Sequence, residues 1–518
     1  MVSKKVSKQK GTSNRGLKNS VRKLSDDEIK LFVAVLSALM REVPCPKDAR
    51  KSYLKEVENR LRNNGVSFLA QTRAFPTYGL KLLGGDLTGF PLVGLKKAEG
   101  KVYPKLFAWY WAELERLSKI SGPSKADAKR AQRVLVVLSF AKMIKISSVN
   151  QIKQSLQDFE TRVTESQSEE SDRGNKSGSA KAEPEDAIGD NKPTSNDGQS
   201  RPEEDERPTL IPRLFNLKIL DSLPRYVDFN SLSTKPSALR DTPMLPEWFG
   251  GHFMRLSRDA YGNTICRLPS ALKPPPYGKV HVLTEAGGKL RLIVPYNSPF
   301  VHSTGLFARA TACLREIPGD CSTEQSKGHR FIKKLTARNP GSGDVIISAD
   351  LDAFSDNTKT SYLRQGLVCL GLPELGDYLF HLPITMPNGK VITPKKVLMG
   401  LKGTFELNSL LHHCAVQQAG IKSYSLCGDD LVYSASSIDA YKEVAATYGW
   451  SINERKTVVS PTAAVFCGEM YWHGMRVSPR IPKVHTIYSN SKLRSATVIF
   501  SCVRSSIKEL NSIYNRRA

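Results

Sequence analysis

The chain is short of acid. It sets 50 Asp and Glu against 76 Lys and Arg, a formal net charge of +26 at pH 7. It has no apolar run of about 18 residues, the length a membrane-spanning helix needs, so no spanning helix is expected. The most apolar stretch, around residues 134–140, reads as a core helix. No Cys-x-x-Cys or Cys/His zinc spacing occurs, and an odd total of nine cysteines fits reduced core thiols of an intracellular protein better than a disulfide framework. The N-terminus lacks the apolar middle of a secretory signal. The chain is not short of core-forming residues: 40% are hydrophobic, which excludes wholesale disorder. The 518 residues make several domain-sized pieces at ~150 residues each.

The charge is unevenly spread. From Asp158 to Arg207 there are 15 acidic and 7 basic residues, a net of −8, so the remainder carries +34. A folded body that basic is expected to meet a polyanion, nucleic acid being the commonest, although a merely soluble basic surface is the alternative. Residues 1–23 hold Lys, Arg, Ser and Asn with no acid, a composition expected of a disordered basic arm. A helical N-terminal domain is expected over 24–157. Ser25 and Glu28 form a capping box, Ile29, Phe32, Val33, Leu36 and Leu39 an apolar stripe, and further helices are expected at 48–64, stopped by Gly65, and at 125–145. Residues 158–207, rich in Glu, Asp, Ser, Gly and Pro, bury too little to offset ordering entropy and read as a disordered acidic linker.

The rest of the chain alternates strand-like and helix-like segments, an α+β class. Strands are expected at 345–351 and on either side of a turn within 424–433. Helices are expected at 360–370, 373–382, 405–415 and 438–448. Asn388-Gly389 signals one hairpin, and 462–477 reads as another.

Cys427-Gly428-Asp429-Asp430 sits between two good strand formers, so it would project two carboxylates from a hairpin tip toward a hard cation such as Mg²⁺; a plain polar turn is the alternative. Two-metal nucleotidyl transfer needs a third carboxylate from elsewhere. Asp350 ends the 345–349 strand, and Asp356, just beyond, is placed to read a ribose hydroxyl; a helix N-cap explains the same cluster. Gly400 and Gly403 allow a loop to approach a nucleic-acid backbone, and Thr404 and Asn408 lie on one helix face, able to bond ribose or Asp356, or simply to cap a core helix. Lys289 and Arg291 alternate on a strand, which suits triphosphate oxygens or a solvated face. Lys456, in Asn453-Glu454-Arg455-Lys456-Thr457, is a candidate general acid for leaving pyrophosphate, or a surface lysine. Phe466-Cys467-Gly468-Glu469 could support a primer strand.

In order, these strings are Lys-x-Arg, Asp-x5-Asp, Gly-x3-Thr-x3-Asn, Gly-Asp-Asp and Asn-x2-Lys-Thr. The sequence resembles the viral RNA-dependent RNA polymerases, motifs F, A, B, C and D. It is most similar to the capsidless positive-strand group of mitoviruses, narnaviruses and ourmia-like viruses. Carrying that likeness are Asp350-Leu351-Asp352-Ala353-Phe354-Ser355-Asp356, Glu285-Ala286-Gly287-Gly288-Lys289-Leu290-Arg291, Ile317-Pro318-Gly319-Asp320 and the paired His412-His413. It covers roughly 275–480 and departs from the family at Ala286 (usually Pro), Met399 (often Ser), and Phe354 and Ser355 (usually Ala-Thr). The resemblance implies a right-hand fold with fingers and palm over 208–480 and a small thumb or extension over 481–518. It implies template-directed RNA synthesis from NTPs, with Asp350, Asp429 and Asp430 holding Mg²⁺, for which Mn²⁺ can substitute, Lys289 and Arg291 on the triphosphate, Asp356, Thr404 and Asn408 on ribose, and Lys456 as acid. Implied partners are RNA template and product. The implied setting is the host cytoplasm or mitochondrion. Two rivals remain at this level, a reverse transcriptase and a non-catalytic basic RNA-binding or replication-scaffold protein.

Overall fold

The computed structural model describes residues 24–43, 45–86, 95–98, 101–104, 106–164, 214–215, 220, 255–258, 264–267, 278–295, 306–338, 343–373, 375–376, 383–396, 398–400 and 403–481. The basic arm, nearly all of the acidic stretch and the expected thumb lie outside these residues. Among the described residues no helix is long and apolar enough to cross a membrane, and the cysteines are free thiols.

The N-terminal part is helical. Helix α1 (Asp26–Arg41) starts at the expected capping box: the Glu28 N–H donates to Ser25 Oγ (3.2 Å) and the Ser25 N–H to Glu28 Oε2 (3.1 Å). Helix α2 (Lys47–Thr72) does not stop at Gly65. It bends at Asn64 (φ −139°, ψ 40°) and continues, and a Cβ on the buried Gly65 would stand 3.1 Å from Ile146 Cδ1. That glycine therefore serves close packing, not helix termination. Helix α3 (Phe75–Leu83) and the hairpin β1 (Leu95–Ala98) to β2 (Lys101–Pro104) follow, then α4 (Ala108–Ser118) and α5 (Lys125–Leu138). The expected helix over 125–145 breaks after Leu138 into a 3₁₀ turn at Phe140–Met143. Helix α6 (Val149–Thr164) runs past the expected boundary at 157. Its apolar face explains why: Phe159 and Val163 are buried in the core of the C-terminal body.

That body begins with the hairpins β3 (Arg255–Arg258) to β4 (Thr264–Arg267) and β6 (His281–Thr284) to β7 (Leu290–Ile293), with the short β5 (Gly278–Lys279) between them. Helices α7 (Leu306–Arg315) and α8 (Gln325–Ala337) lead to β8 (Val345–Ala349), α9 (Phe354–Asn357) and α10 (Thr360–Cys369). β9 (Ile384–Thr385) and β10 (Val391–Ile392) close across the Asn388-Gly389 turn, and β5 joins β9 in parallel. The remainder is α11 (Thr404–Gln418), β11 (Tyr424–Cys427), β12 (Asp430–Ala435), α12 (Asp439–Thr447), β13 (Val458–Ser460), β14 (Ala463–Phe466), β15 (Glu469–Trp472) and β16 (Met475–Arg476). The fold is α+β.

The central sheet has the order β11-β12-β8-β13, every neighbour antiparallel. Its strands are mostly apolar at successive positions, broken by single serines, because both faces are covered. Successive side chains part to opposite faces. Ile347, Leu431 and Tyr433 join the core with α11, while Ile346 and Val432 meet Ile332 of α8 and Phe466 of β14. The N-terminal helices are not a separate unit behind a linker. Phe32, Phe68, Trp111 and Val134 share one core with Val458, Met470, Trp472 and Val477 of the C-terminal strands, so the expected division at 157 does not hold as a packing boundary.

Candidate active site

The sheet gathers the acids at one end. Leu431 pairs with Ala349 in register, so Asp430 and Asp350, one position on, stand side by side. Cys427 pairs with Asp430 across the turn that carries Gly428 and Asp429. Gly428 has φ +62°, a conformation that favours glycine, and a Cβ there would sit 2.5 Å from the exposed Phe405 ring, which would have to swing aside. The turn is fixed from below. The Gly428 carbonyl lies 2.7 Å from His412 Nδ1, and the other ring nitrogen lies 2.6 Å from the Tyr441 hydroxyl. His412 is fully buried, and burial holds its pKa down to about 3, so the ring is neutral. A carbonyl only accepts, so Nδ1 donates to Gly428 and Nε2 accepts from Tyr441. His413, equally buried, meets the Tyr424 hydroxyl (2.9 Å) and Asp320 (3.3 Å). The His pair thus braces the hairpin. The sequence offers one hint of this: two adjacent polar rings set between the apolar Leu410-Leu411 and Cys414-Ala415-Val416 in the buried middle of a helix.

The acids interact electrostatically. Burial, followed by the charges of Asp429 and Asp350, pushes Asp430 up to about 7. Burial also raises Asp350, with Asp429 and Asp352 adding to the rise and Lys456 opposing it. Lys456 Nζ lies 2.7 Å from Asp350 Oδ2. Its loop is sewn to the Asp350 strand end: the Asn453 N–H donates to the Asp350 carbonyl (2.8 Å), the Asp350 N–H donates to Thr457 Oγ1 (3.2 Å), and Asn453 bonds the Asp352 side chain. Three mutually repelling carboxylates at strand ends suit hard divalent cations, which would relieve that repulsion. Among the described residues, however, no three acids, thiols or imidazoles are drawn together as a metal would draw them, and the Lys456 ammonium is the cation against Asp350.

On the hairpin β6–β7, Glu285 stands between the two expected cations, 3.0 Å from Arg291 Nε and 3.7 Å from Lys289 Nζ. Lys289 is held below its ordinary pKa by burial first, then by Arg291, with Lys456 and Arg73 adding to the effect and Glu285 opposing it. The glycine loop packs on the same hairpin. Val294 N–H donates to the Met399 carbonyl (3.0 Å), and a Cβ on Gly400 (φ +121°) would come within 2.4 Å of the Val294 carbonyl oxygen.

The expected ribose set is divided. Asp356, on α9, is partly buried, and that burial raises its pKa; Arg162 of α6, 3.4 Å away, opposes the rise. Thr404 opens α11 and is buried. Asn408 is wholly buried, and its Oδ1 accepts from Thr358 Oγ1 (2.6 Å) while its Nδ2 donates to the Thr404 carbonyl (2.8 Å). Asp356, one of the partners the sequence left open to Asn408 beside ribose, is therefore not the one bonded. Thr358 is the nearer acceptor-donor, and Trp450 Nε1 also donates to it (2.9 Å). Glu469 is engaged within its own hairpin by Arg476 and Ser478.

One further group lay outside sequence reasoning. Lys81 of α3, fully buried, donates to the Glu454 carbonyl (2.7 Å) in the Lys456 loop and lies 3.7 Å from Asp86. Asp86 in turn accepts from the Val459 N–H (3.0 Å). These contacts span 373 residues of sequence and carry no local signature.

Residues 399–517 match the Mitovirus RNA-dependent RNA polymerase family. This part of the chain is similar to the viral RNA-dependent RNA polymerases. The polymerase match takes in the glycine loop, the Gly-Asp-Asp turn and the Lys456 loop, and extends past 480, where the likeness read from the sequence ended. Two curated relatives are the subunit beta RNA-directed RNA polymerases of Qbeta virus (strain MX1), 31% identical over 169 residues, and of Escherichia virus Qbeta, 30% identical over 141. These alignments take 31% and 26% of this chain but only 28% and 24% of the relatives, so the chain spans about a quarter of their length. Among solved structures, the insertion-loop deletion mutant of a human picorbirnavirus RNA-dependent RNA polymerase is 16% identical, with TM-score 0.32 over 40% of this chain and 47% of that one. A dsRNA-related RNA-dependent RNA polymerase, vp4, is 10% identical, with TM-score 0.33 over 39% of this chain and 22% of that one.

Proposed function

We propose that this chain is an RNA-dependent RNA polymerase that extends RNA from ribonucleoside triphosphates by metal-assisted nucleotidyl transfer. The observation that supports this best is the set of three coupled carboxylates at one sheet end with Lys456 beside them. Asp350, Asp429 and Asp430 would hold two Mg²⁺ ions, with Mn²⁺ as substitute; bound there, they supply activation of the primer 3′-hydroxyl and neutralisation of the triphosphate. Lys289 and Arg291 grip the triphosphate, exchanging Glu285 for phosphate oxygens. Asp356 and Thr404 read the ribose, and Asn408 supports them by holding Thr358. Gly400 lets the loop lie against the hairpin of Lys289. Lys456 leaves Asp350 to protonate pyrophosphate. The basic surface holds template and product RNA, a contact that weakens with salt. On this reading the enzyme works inside the host cell, in the cytosol or the mitochondrion.

The test is incorporation of labelled rNTPs on a single-stranded RNA template, with Mg²⁺ and with chelator, beside dNTPs. The expected outcome is metal-dependent product from rNTPs, lost by at least about 100-fold in Asp429→Ala while RNA binding persists. Preference for dNTPs would make it a reverse transcriptase. Salt-sensitive RNA binding without any product would make it a scaffold.

A further inference from the structure

The nucleotide site read above, on which this inference rests, has two cations for the triphosphate. Two more stand beside them, and both come from the N-terminal helices. Arg73 follows α2 directly, and a Cβ on Gly287, in the turn between β6 and β7, would stand 3.1 and 3.2 Å from its Cγ and Cδ. Lys142 lies in the 3₁₀ turn, next to Ala141, whose carbonyl oxygen faces the same glycine position at 3.6 Å.

The hairpin turn is built onto this region. The Gly287 N–H donates to the Ile144 carbonyl (2.9 Å), and Ala286 bridges to Lys145. Gln151 Nε2 donates to the Gly288 carbonyl (2.6 Å), and Thr284 and Ser147 join hydroxyls (3.2 Å). Arg73, Lys142, Lys289 and Arg291 therefore gather around one turn. Lys142 feels the charges of Arg73 and Lys289, and Lys289 feels those of Arg291, Lys456 and Arg73.

Glu285 is the carboxylate among them, and it is already paired with Lys289 and Arg291. Both backbone N–H groups are bonded within their own turns, but among the described residues neither the Arg73 nor the Lys142 side chain makes a hydrogen bond or ion pair, although Arg73 senses Glu285. Burial lowers the pKa of both, and Arg73 and Lys289 lower Lys142 further. Half-buried like charges in this number are costly together unless an anion joins them. A polyphosphate chain carries enough charge, and enough oxygens, for all four.

We infer that Arg73 and Lys142 are part of the triphosphate site, so that the N-terminal helices supply half of the cations that hold the incoming nucleotide. This gives those helices a role in substrate binding, and it explains why the turn of the hairpin is fastened to them by backbone bonds.

The test uses the full chain. Arg73→Gln and Lys142→Met keep most of the length and apolar stem but not the charge, while Arg73→Lys and Lys142→Arg keep the charge. Lys51→Ala, on an exposed position of α2, is the control. Two quantities are measured: the rNTP KM in incorporation, and the Kd for inorganic tripolyphosphate by calorimetry. Each neutral variant is expected to raise both by roughly tenfold, the loss of one charge-assisted contact. Saturated kcat and RNA affinity should hardly change, the charge-keeping variants should recover most of the loss, and the control should match wild type. Unchanged KM and Kd in the neutral variants, or a loss confined to RNA affinity, would overturn the inference. If Lys142→Met does not fold, Arg73→Gln and its lysine counterpart decide the matter. A wild type that binds tripolyphosphate through these two residues yet incorporates nothing sinks the polymerase reading and leaves the anion site standing. A wild type that incorporates with neutral variants unaltered sinks only the site.

Discussion

Asp430 is held by the fold in a condition that its chemistry opposes. Its ordinary pKa is 3.8, and burial with Asp429 and Asp350 nearby moves it to about 7. A folded pKa above the unfolded one means that the fold prefers the protonated carboxyl. The stability tied to this group is therefore complete below about pH 4 and is lost as pH rises through 7. In chelator at pH 8, Asp430→Asn should melt at a higher temperature than wild type, by on the order of 1–3 kcal/mol of stability. An asparagine oxygen can still accept from the Cys467 N–H, which now reaches Asp430 Oδ2 at 3.2 Å. Mg²⁺ should stabilise wild type more than the variant, and incorporation by the variant should fall. A less stable Asp430→Asn in chelator would contradict this repulsion. The carboxylates themselves were legible in the sequence because acids at strand ends have a spacing signature. Their mutual influence was not, since it depends on the register of β12 against β8.

Helix α11 was expected from its sequence, and so were the strands on either side of Gly428. What joins them was not visible, because the bond from His412 runs between side chain and backbone of elements that meet only after the sheet is assembled. Asn408 illustrates the same limit. Helical spacing placed it correctly beside Thr404, but spacing cannot tell that Thr358 and Trp450 would be its neighbours. The brace has a consequence that can be measured. His412→Leu leaves the Gly428 carbonyl and the Tyr441 hydroxyl buried without partners, each at a cost of about 1–3 kcal/mol. The turn then loses its support, and kcat should fall by roughly tenfold or more with rNTP KM and RNA affinity nearly constant. Tyr441→Phe breaks only the outer bond and should do less. Because burial keeps His412 neutral down to about 3, the pH–rate profile between pH 5 and 8 should keep its shape in Tyr441→Phe. A change in shape would mean that the ring titrates during turnover.

At the scale of the whole molecule, the N-terminal helices reach the candidate active site at two points. The stretch from Ile144 to Gln151 holds the hairpin of Lys289 and Arg291, and α3 with Asp86 holds the loop of Lys456. The second hold runs through a buried ion pair, and that makes it testable. Lys81 is lowered in pKa by burial, with Asp86 opposing, so its charge is maintained by its partners. Lys81→Met removes the cation from its ion pair with the buried Asp86, a loss expected to be about 3–5 kcal/mol. Adding Asp86→Asn removes the buried carboxylate charge while an amide oxygen still accepts from the Val459 N–H, so the double variant should be more stable than Lys81→Met alone. Neither variant restores the bond to the Glu454 carbonyl, and incorporation should stay low in both, because the Lys456 loop is released. Stability recovered without activity would separate the two duties of Lys81, folding and positioning. Activity recovered together with stability would show that the loop needs no hold from the N-terminal helices.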